Sequence, residues 1–459
     1  MNPIYNEETI CALATPAGGA IGLIRVSGEK AIDITDMVFR SPQGHKLTEA
    51  KAQTVHYGEL VDGNGDAIDE VLVSIYRAPH SYSGENSVEI SCHGSSYILS
   101  SVLRRLIDCG CRQAEPGEFT KRAYLNGKMD LSQAEAVADL IASTSKATHQ
   151  MAMGQLRGNV SRELATLRSQ LLEMTSLVEL ELDFSDQDVT FADRSKLLSL
   201  AEKIDSRIQS LASSFSKGKA IKDGIPVAIV GKTNVGKSTL LNALLDDDKA
   251  IVSDIDGTTR DVIEDTTTIN GVTFRFIDTA GLRHTSDVIE KLGIERTYKK
   301  LSEAAIVVWV IDAAPTQTEM EDMLSRTQGK KLIIVNNKID DGNAKPYVND
   351  VPTGVMTVSI SAKNNRNIDR LEQIIYDAAD IPELKENSIV ITSLRHYNAL
   401  CQAHDSIERV ISGLNLSLSG DLLSEDLRQC INDLGEITGP QITSTEVLHN
   451  VFSHFCIGK

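Results

Sequence analysis

The segment GKTNVGKST at residues 231–239 constrains the fold more than any other part of this sequence. It follows directly on the apolar run at 227–230, which has the composition of a buried strand. A glycine-rich turn between a strand and a helix lets backbone N–H groups face inward and cradle phosphates, and the helix directs its positive end at the same anions. The segment therefore predicts a strand, a phosphate-binding loop and a helix, in that order.

Three further motifs follow in a fixed order, DTAG at 278–281, NKID at 337–340 and SAK at 361–363. Each comes at the end of a run that resembles a strand. The carboxylate of Asp340 can accept two hydrogen bonds from the N1–H and the exocyclic amine of guanine, which adenine lacks at those positions, so such a site rejects ATP. The ordered set predicts a GTP-hydrolysing domain in which strands and helices alternate around a parallel sheet.

The motif residues have predicted roles at the nucleotide. Lys237 reaches the β- and γ-phosphates, Ser238 places a hydroxyl on Mg²⁺, and Asp278 holds Mg²⁺ through water. Thr258 and Thr259, in IVSDIDGTTRD at 251–261, are available to Mg²⁺ and the γ-phosphate; the alternative is a solvated loop with helix-capping threonines. The predicted GTP-binding set is Gly231, Asn234, Val235, Gly236, Lys237, Ser238, Thr239, Thr258, Thr259, Asp278, Gly281, Asn337, Lys338, Asp340, Ser361, Ala362 and Lys363.

The residue after DTAG departs from small signalling GTPases, which have a glutamine there to orient the attacking water. This chain has Leu282, which cannot do so. Catalysis must therefore depend on another group. The candidates are a monovalent cation near Asn234 and a more distant carboxylate such as Glu290.

The hydrophobic periodicity changes along the chain. Residues 1–120 alternate short strand-like runs with glycine-rich turns, whereas apolar residues recur every three or four positions from about 131 to 217 and again after 382. The helical positions are Leu156, Val160, Leu164, Leu167, Leu171, Met174 and Val178, then Leu400, Ile407, Val410, Ile411, Leu414, Leu422, Leu423, Leu427, Ile431 and Leu434. We predict a multidomain α+β and α/β fold: an N-terminal domain at 1–120, a helical domain at 121–218 and 382–459, and a GTPase domain inserted at 219–381.

The net charge and the cysteine content argue against several classes of protein. The net charge of −18 opposes non-specific adhesion to nucleic acid or anionic membrane. The seven cysteines are scattered without metal-ligand spacing, which is typical of a reducing cytosol. Neither a signal-like N-terminus nor an apolar run of about 20 residues is evident. The expected location is the cytoplasm, without a membrane anchor.

Several motifs carry a resemblance to one family: PGEFTKRA at 116–123, GTTRD at 257–261, DTAGLR at 278–283, LGEITG at 434–439 and FCIGK at 455–459. Together they make the whole chain resemble the bacterial MnmE family of tRNA-modification GTPases, also called TrmE. The resemblance implies a K⁺-dependent, Mg²⁺-requiring GTPase that forms a homodimer through its N-terminal domain. It also implies a hetero-oligomer with an FAD-containing partner, which adds a carboxymethylaminomethyl-type group at carbon 5 of the wobble uridine of certain tRNAs. The one-carbon unit would come from a tetrahydrofolate derivative.

The resemblance also implies roles for particular residues. Asn234, Ser253, Ile255 and Thr258 would surround K⁺, while Ser238 and Thr259 would bind Mg²⁺. The catalytic set would be Glu290, Asn234 and Lys237, with Glu290 orienting the water. Arg25, Glu85 and Lys128 would contact the folate, in the region that also contains His93, and Cys456 would take part in the modification chemistry. Two departures are Lys232-Thr233, where Arg-Pro is common, and Ser95, where a second glycine is usual.

Other interpretations stay open at this point. PGEFT alone is equally typical of a helix start, Arg25 of an ion-paired surface residue, and Cys456 of a buried apolar side chain. A GTP-dependent ribosome-assembly switch shares this type of GTPase, but such proteins usually carry a basic RNA-binding module. A scaffold whose dimerisation is controlled by GTP is a third possibility.

Overall fold

The computed structural model describes residues 8–183, 194–245, 265–277, 301–340, 352, 354–381, 388–439, 448, 451–453, 455 and 458. They group into two compact units. The first unit contains the described parts of 1–138, 155–200 and 406–459, and the second those of 139–154 and 201–405. The predicted domain boundaries at 121, 219 and 382 stay predictions.

The N-terminal part of the first unit is a mostly antiparallel sheet with helices packed on one face. Among the described residues the sheet has seven strands in the order β3-β4-β5-β6-β2-β1-β7. The strands are β1 (Ile10–Leu13), β2 (Ile21–Ser27), β3 (Phe39–Arg40), β4 (Thr54–Val61), β5 (Ala67–Tyr76), β6 (Ser87–His93) and β7 (Arg112–Gln113), and the helices α1 (Ala31–Val38) and α2 (Ser96–Asp108). Alternate strand residues such as Ile24, Val73 and Ile90 are fully buried, because every second side chain faces the helices.

Helices also form the segments of the chain between the two sheets and after the second sheet. They are α3 (Glu118–Leu125), α4 (Leu131–Ile141), α5 (Lys146–Leu156), α6 (Asn159–Asp183), α7 (Arg194–Asp223), α11 (Leu394–Asn415) and α12 (Gly420–Thr438). Helix α6 packs along α12, with Leu164 and Leu171 of α6 and Leu427 and Leu434 of α12 buried. The helical stripes of the two distant sequence segments therefore form one interface.

Two details of the predicted helical stripes are wrong. Leu156 is the last residue of α5 rather than part of the α6 stripe, because Gly158 has φ +78° and interrupts the helix. Leu422 is 53% exposed, since it precedes Leu423 by one residue and so points about 100° away from the buried face. The other stripe positions on α6 and α12 that were predicted are buried.

The second unit contains a mainly parallel sheet with helices on both faces. Among the described residues its six strands have the order β13-β12-β11-β8-β10-β9, and only the β9–β10 pair is antiparallel. The strands are β8 (Ile225–Val230), β9 (Asp265–Ile269), β10 (Val272–Phe276), β11 (Ile306–Ile311), β12 (Lys331–Asn336) and β13 (Met356–Ser359), and the helices α8 (Lys237–Leu245), α9 (Gln317–Arg326) and α10 (Ile368–Ala378). Every residue of β11 is buried, as expected for a central strand covered on both sides.

This arrangement confirms the predicted multidomain α+β and α/β fold, with the parallel sheet between two helical segments of the chain. The carboxyl ends of β8, β11, β12 and β13 meet at one edge of that sheet, where open α/β sheets bind their ligands. Within the described ranges no helix is long and apolar enough to cross a membrane.

Candidate nucleotide site

The phosphate loop connects β8 to α8, and its two glycines stand where side chains would not fit. A Cβ at Gly231 would collide with the carbonyl oxygen of Val310 on β11. At Gly236, with φ +94°, a Cβ would collide with the side-chain amide of Asn337. The loop is therefore a backbone cradle at the start of a helix, which fits phosphate groups.

Lys237 crosses this cradle. Its ammonium group donates hydrogen bonds to the carbonyl oxygens of Gly231, at 2.9 Å, and Lys232, at 2.5 Å. Ser238 and Thr239 follow it in the first turn of α8. The positive charge of Lys237 is thus held against the backbone of the loop, where a phosphate would bind.

Asn234 occupies the exposed top of the phosphate loop. Its φ of +62° lies in the left-handed region, which asparagine tolerates better than most residues with a side chain. Within the described part of the chain its side chain forms no hydrogen bond, so its amide oxygen is available to a ligand. That geometry fits the cation-binding role predicted for it.

Asn337 connects the phosphate loop to the loop after β13. Its side chain is 3% exposed; the Nδ2 group donates to the carbonyl oxygen of Val235 at 2.8 Å, and Oδ1 accepts from the backbone N–H of Ala362 at 3.0 Å. The residue predicted to contact the nucleotide therefore holds together the two loops on either side of it. Its position fixes the distance between the phosphate cradle and the base-binding end.

Asp340 lies at the end predicted to bind the base, with its carboxylate exposed to solvent. Hydrogen bonds from the Ser361 hydroxyl and from its own backbone N–H, with the positive charge of Lys363, hold the pKa of Asp340 below its usual value. Ser361 itself is fully buried and is fixed by two backbone hydrogen bonds to Arg366. The structure thus brings Asp340, Ser361 and Ala362 to one end of the site, with the carboxylate ionised.

Two ionic contacts beside the site were not predicted. Lys338, at φ +64°, donates to Asp312 at 2.8 Å, and Asp312 directly follows β11. Lys232 of the phosphate loop pairs with Glu319 at 2.5 Å, in the first turn of α9. The position of Asp312 in the sequence could have predicted the first contact, because a carboxylate directly after a buried parallel strand lies at the edge of the sheet where ligands bind.

The remaining predicted nucleotide, metal and modification residues lie outside the described residues. They are Ser253, Ile255, Thr258, Thr259, Asp278, Gly281, Glu290 and Cys456, together with Leu282. Their roles stay predictions from the sequence.

The predicted folate residues lie in the N-terminal part of the first unit with three different sets of partners. Arg25 donates to Glu89 at 2.8 Å and lies 5.2 Å from the ring centre of Tyr82. Glu85 accepts from Arg122 and from the hydroxyl of Ser27, whereas Lys128 donates to the carbonyl oxygen of Pro79. Gly84 lies against the stem of Lys128, so the loop that contains Glu85 packs against the bend after α3 that contains Lys128. His93 pairs separately with Asp69, at 2.8 Å.

The PGEFT segment starts helix α3 and also contains a buried carboxylate. Glu118, 9% exposed, accepts from Arg112 at 2.6 Å and Arg122 at 2.9 Å. Burial alone would raise the pKa of Glu118, but the hydrogen bonds from Arg112, the Glu115 N–H and Arg122 outweigh it and hold the pKa below the usual value. Because Arg122, in the last turn of α3, also binds Glu85, this helix anchors the loop that contains Glu85.

Comparison with known proteins decides the family. The family described as GTP-binding protein TrmE N-terminus matches residues 9–128, and the MnmE helical domain family matches residues 131–456. The chain belongs to the MnmE family. The tRNA modification GTPase MnmE of Bacteroides fragilis is 55% identical over 466 residues, covering 99% of this chain and 100% of the relative. That of Bacteroides thetaiotaomicron is 54% identical over 466 residues and that of Flavobacterium johnsoniae 47% over 468, each covering 99% of this chain and 100% of the relative.

Proposed function

We propose that this chain couples GTP hydrolysis to the modification of tRNA. As a member of a family of tRNA modification GTPases, it is a GTP-hydrolysing enzyme. The observation that carries the proposal is the tie formed by Asn337, which joins the phosphate cradle to the loop that orients Asp340. The residues predicted to bind the two ends of a guanine nucleotide are thereby connected at one edge of the sheet.

Guanine selection would depend on the ionised carboxylate of Asp340. Its two oxygens can accept the N1–H and the exocyclic amine of guanine, while adenine offers no donor at N1. The Ser361 hydroxyl orients the carboxylate and favours its charged form. The carboxylate of Asp340 is therefore ionised and oriented before guanine binds.

At the other end of the site, phosphate binding would use the cradle of Gly231 and Gly236 and the ammonium of Lys237. On binding, Lys237 exchanges backbone carbonyl oxygens for oxygens of the β- and γ-phosphates, which gives stronger, charge-assisted hydrogen bonds. Ser238, in the first turn of α8, would hold Mg²⁺, which when bound neutralises charge on the phosphates.

Hydrolysis in this chain must work without a glutamine after DTAG. Asn234, with its free amide at the top of the phosphate loop, would hold K⁺ together with Ser253, Ile255 and Thr258. The ion supplies positive charge where negative charge develops during phosphoryl transfer, as an arginine does in other GTPases. Glu290 would orient the attacking water.

Replacing K⁺ by Na⁺ at equal ionic strength should slow GTP turnover by about tenfold or more, because Na⁺ prefers shorter ligand distances than this set would offer. GTP affinity should change little. Asn234→Ala should remove the difference between the two salts, whereas the neighbouring exposed variant Thr233→Ala should retain it. Equal turnover of the wild-type chain in both salts would refute the cation mechanism.

The finer assignment concerns the tRNA chemistry. We propose that the chain forms a homodimer through its N-terminal domain and acts with an FAD-containing partner at carbon 5 of the wobble uridine. A tetrahydrofolate derivative would bind near Arg25, Glu85 and Lys128, and Cys456 would contribute to the modification. The clustering of charged side chains around the Glu85 loop supports a binding role for this part of the domain.

Nucleoside analysis of tRNA tests this function directly. Deletion of the gene should leave the wobble uridine without its carbon-5 group, and expression of this chain should restore it. The Cys456→Ser variant tests the proposed role of the thiol in the same strain. An unchanged wobble uridine after deletion, accompanied by a defect in ribosome assembly, would favour the ribosome-assembly switch instead.

A further inference from the structure

A cavity of about 410 Å³ lies between α6 and α12 in the first unit. Its walls include Leu164 and Leu172 of α6 and Leu434 of α12, and Asp130 stands at its rim. The motif LGEITG, which none of the GTP-site roles explains, contributes three residues to this wall, Leu434, Gly435 and Thr438. Its volume is in the usual range for small-molecule pockets.

Two polar side chains that line this cavity, Arg168 and Ser161, have polar atoms without a hydrogen-bond partner among the described residues. Arg168 is half-buried and, among the described residues, has no ion pair or hydrogen bond; its Nε and the hydroxyl of Ser161 are shielded from solvent without a partner. Asp130 also lines the cavity and accepts the backbone N–H of Gln133 at the start of α4, but within the described ranges no ion pair joins it to Arg168. A shielded donor without an acceptor is costly, so the arrangement favours an anion that would pair with Arg168.

Gly435 gives an independent sign that the cavity is kept open. It lies inside α12 and is buried, yet a Cβ built on it would touch none of the described residues within 4 Å. Glycine within a helix destabilises it relative to alanine, and here neither a positive φ nor close packing requires glycine. Within the described ranges no residue fills the space in front of Gly435, which leaves room for a ligand.

We propose that this cavity binds a small amphiphilic organic anion. Its carboxylate or phosphate group would pair with Arg168, which turns toward the cavity on binding, and the hydroxyl of Ser161 would add a hydrogen bond. The apolar body would lie against Leu164, Leu172 and Leu434. The lining residues include no aromatic ring, so they lack the stacking surface that proteins use for unpaired bases.

The test is a fluorescence titration of the full chain, without nucleotide, with the amphiphilic anion 8-anilinonaphthalene-1-sulfonate. Wild type should show a saturable site that octanoate or octyl phosphate displaces, and the better competitor identifies the preferred head group. Arg168→Met should weaken this site by about tenfold or more through loss of the charge-assisted bond. Gly435→Leu should abolish it by filling the cavity.

Two control measurements show whether a loss of probe binding comes from the cavity itself. Circular dichroism and thermal unfolding should show Gly435→Leu to be at least as stable as wild type, because leucine fills a void and favours the helix. Arg104→Met, which removes an exposed arginine of α2, should bind the probe like wild type. Probe binding that survives both Arg168→Met and Gly435→Leu, or displacement by neither competitor, would overturn the proposal.

Discussion

Replacing Asp340 by asparagine is expected to weaken GTP binding by about a hundredfold or more. The amide keeps one acceptor but presents an N–H₂ group to the donors of guanine, so one hydrogen bond is lost and a donor faces a donor. The same amide matches xanthine, which carries a carbonyl oxygen where guanine has its amine. Asp340→Asn should therefore bind xanthosine triphosphate better than GTP, as measured by fluorescent-nucleotide displacement.

A matched control is available in Asp312, the carboxylate that pairs with Lys338 at the same edge of the sheet. Asp312→Asn changes the charge equally and removes the ion-pair partner of Lys338, but it leaves the carboxylate of Asp340 in place, so the preference for GTP over xanthosine triphosphate should remain. If Asp340→Asn kept the wild-type preference, Asp340 would not be the residue that selects the base.

Replacing Asn337 by alanine should destabilise the second unit by about 2–4 kcal/mol, because the buried Val235 carbonyl and Ala362 N–H both lose their partner. GTP affinity should fall as well, since the phosphate cradle and the SAK loop are no longer held at a fixed distance. Urea unfolding can be followed through Trp309, the sole tryptophan, which is buried in β11.

Asn336 provides the control for this experiment. It is the adjacent residue, also 3% exposed, but neither atom of its side-chain amide has a hydrogen-bond partner within the described residues. Asn336→Ala should therefore leave stability unchanged or raise it, because it removes an unsatisfied buried amide. If both variants lost the same stability, the smaller side-chain volume would account for the loss, and the hydrogen bonds that join the two loops would not.

The strands, the helix starts and the glycine positions of the phosphate loop were predictable because their signals are local. The apolar run before Gly231 and the spacing to Gly236 reflect steric requirements within a few residues of chain. The change from strand to helical periodicity likewise located the sheets and the α6–α12 interface.

The partners of the site residues were not predictable, since they are distant in sequence. Asn337 binds Val235, which lies 102 residues earlier, and Lys338 pairs with Asp312, 26 residues earlier. Periodicity locates the strands but does not specify which side chains meet at their ends. The sequence thus predicted Asn337 as a nucleotide residue without revealing that its amide joins two loops.

The helical region shows a second limit of local patterns. Val160 and Leu156 satisfy the same spacing, yet Gly158 separates the helices that contain them. Gly435 looks like an unremarkable position in a helical run, and its meaning appears only when α6 is placed opposite it. Cavities depend on the volume left between elements, which no single segment encodes.

We propose that GTP hydrolysis by this chain drives the tRNA modification. The most direct test combines the purified chain, the proposed FAD-containing partner from the same organism, the proposed tetrahydrofolate one-carbon donor and wobble-unmodified tRNA, followed by nucleoside mass spectrometry. The modified uridine should form with GTP in K⁺ and should not form with a non-hydrolysable GTP analogue or with the Asp340→Asn variant in GTP. Equal modification with GTP and with the analogue would contradict the account.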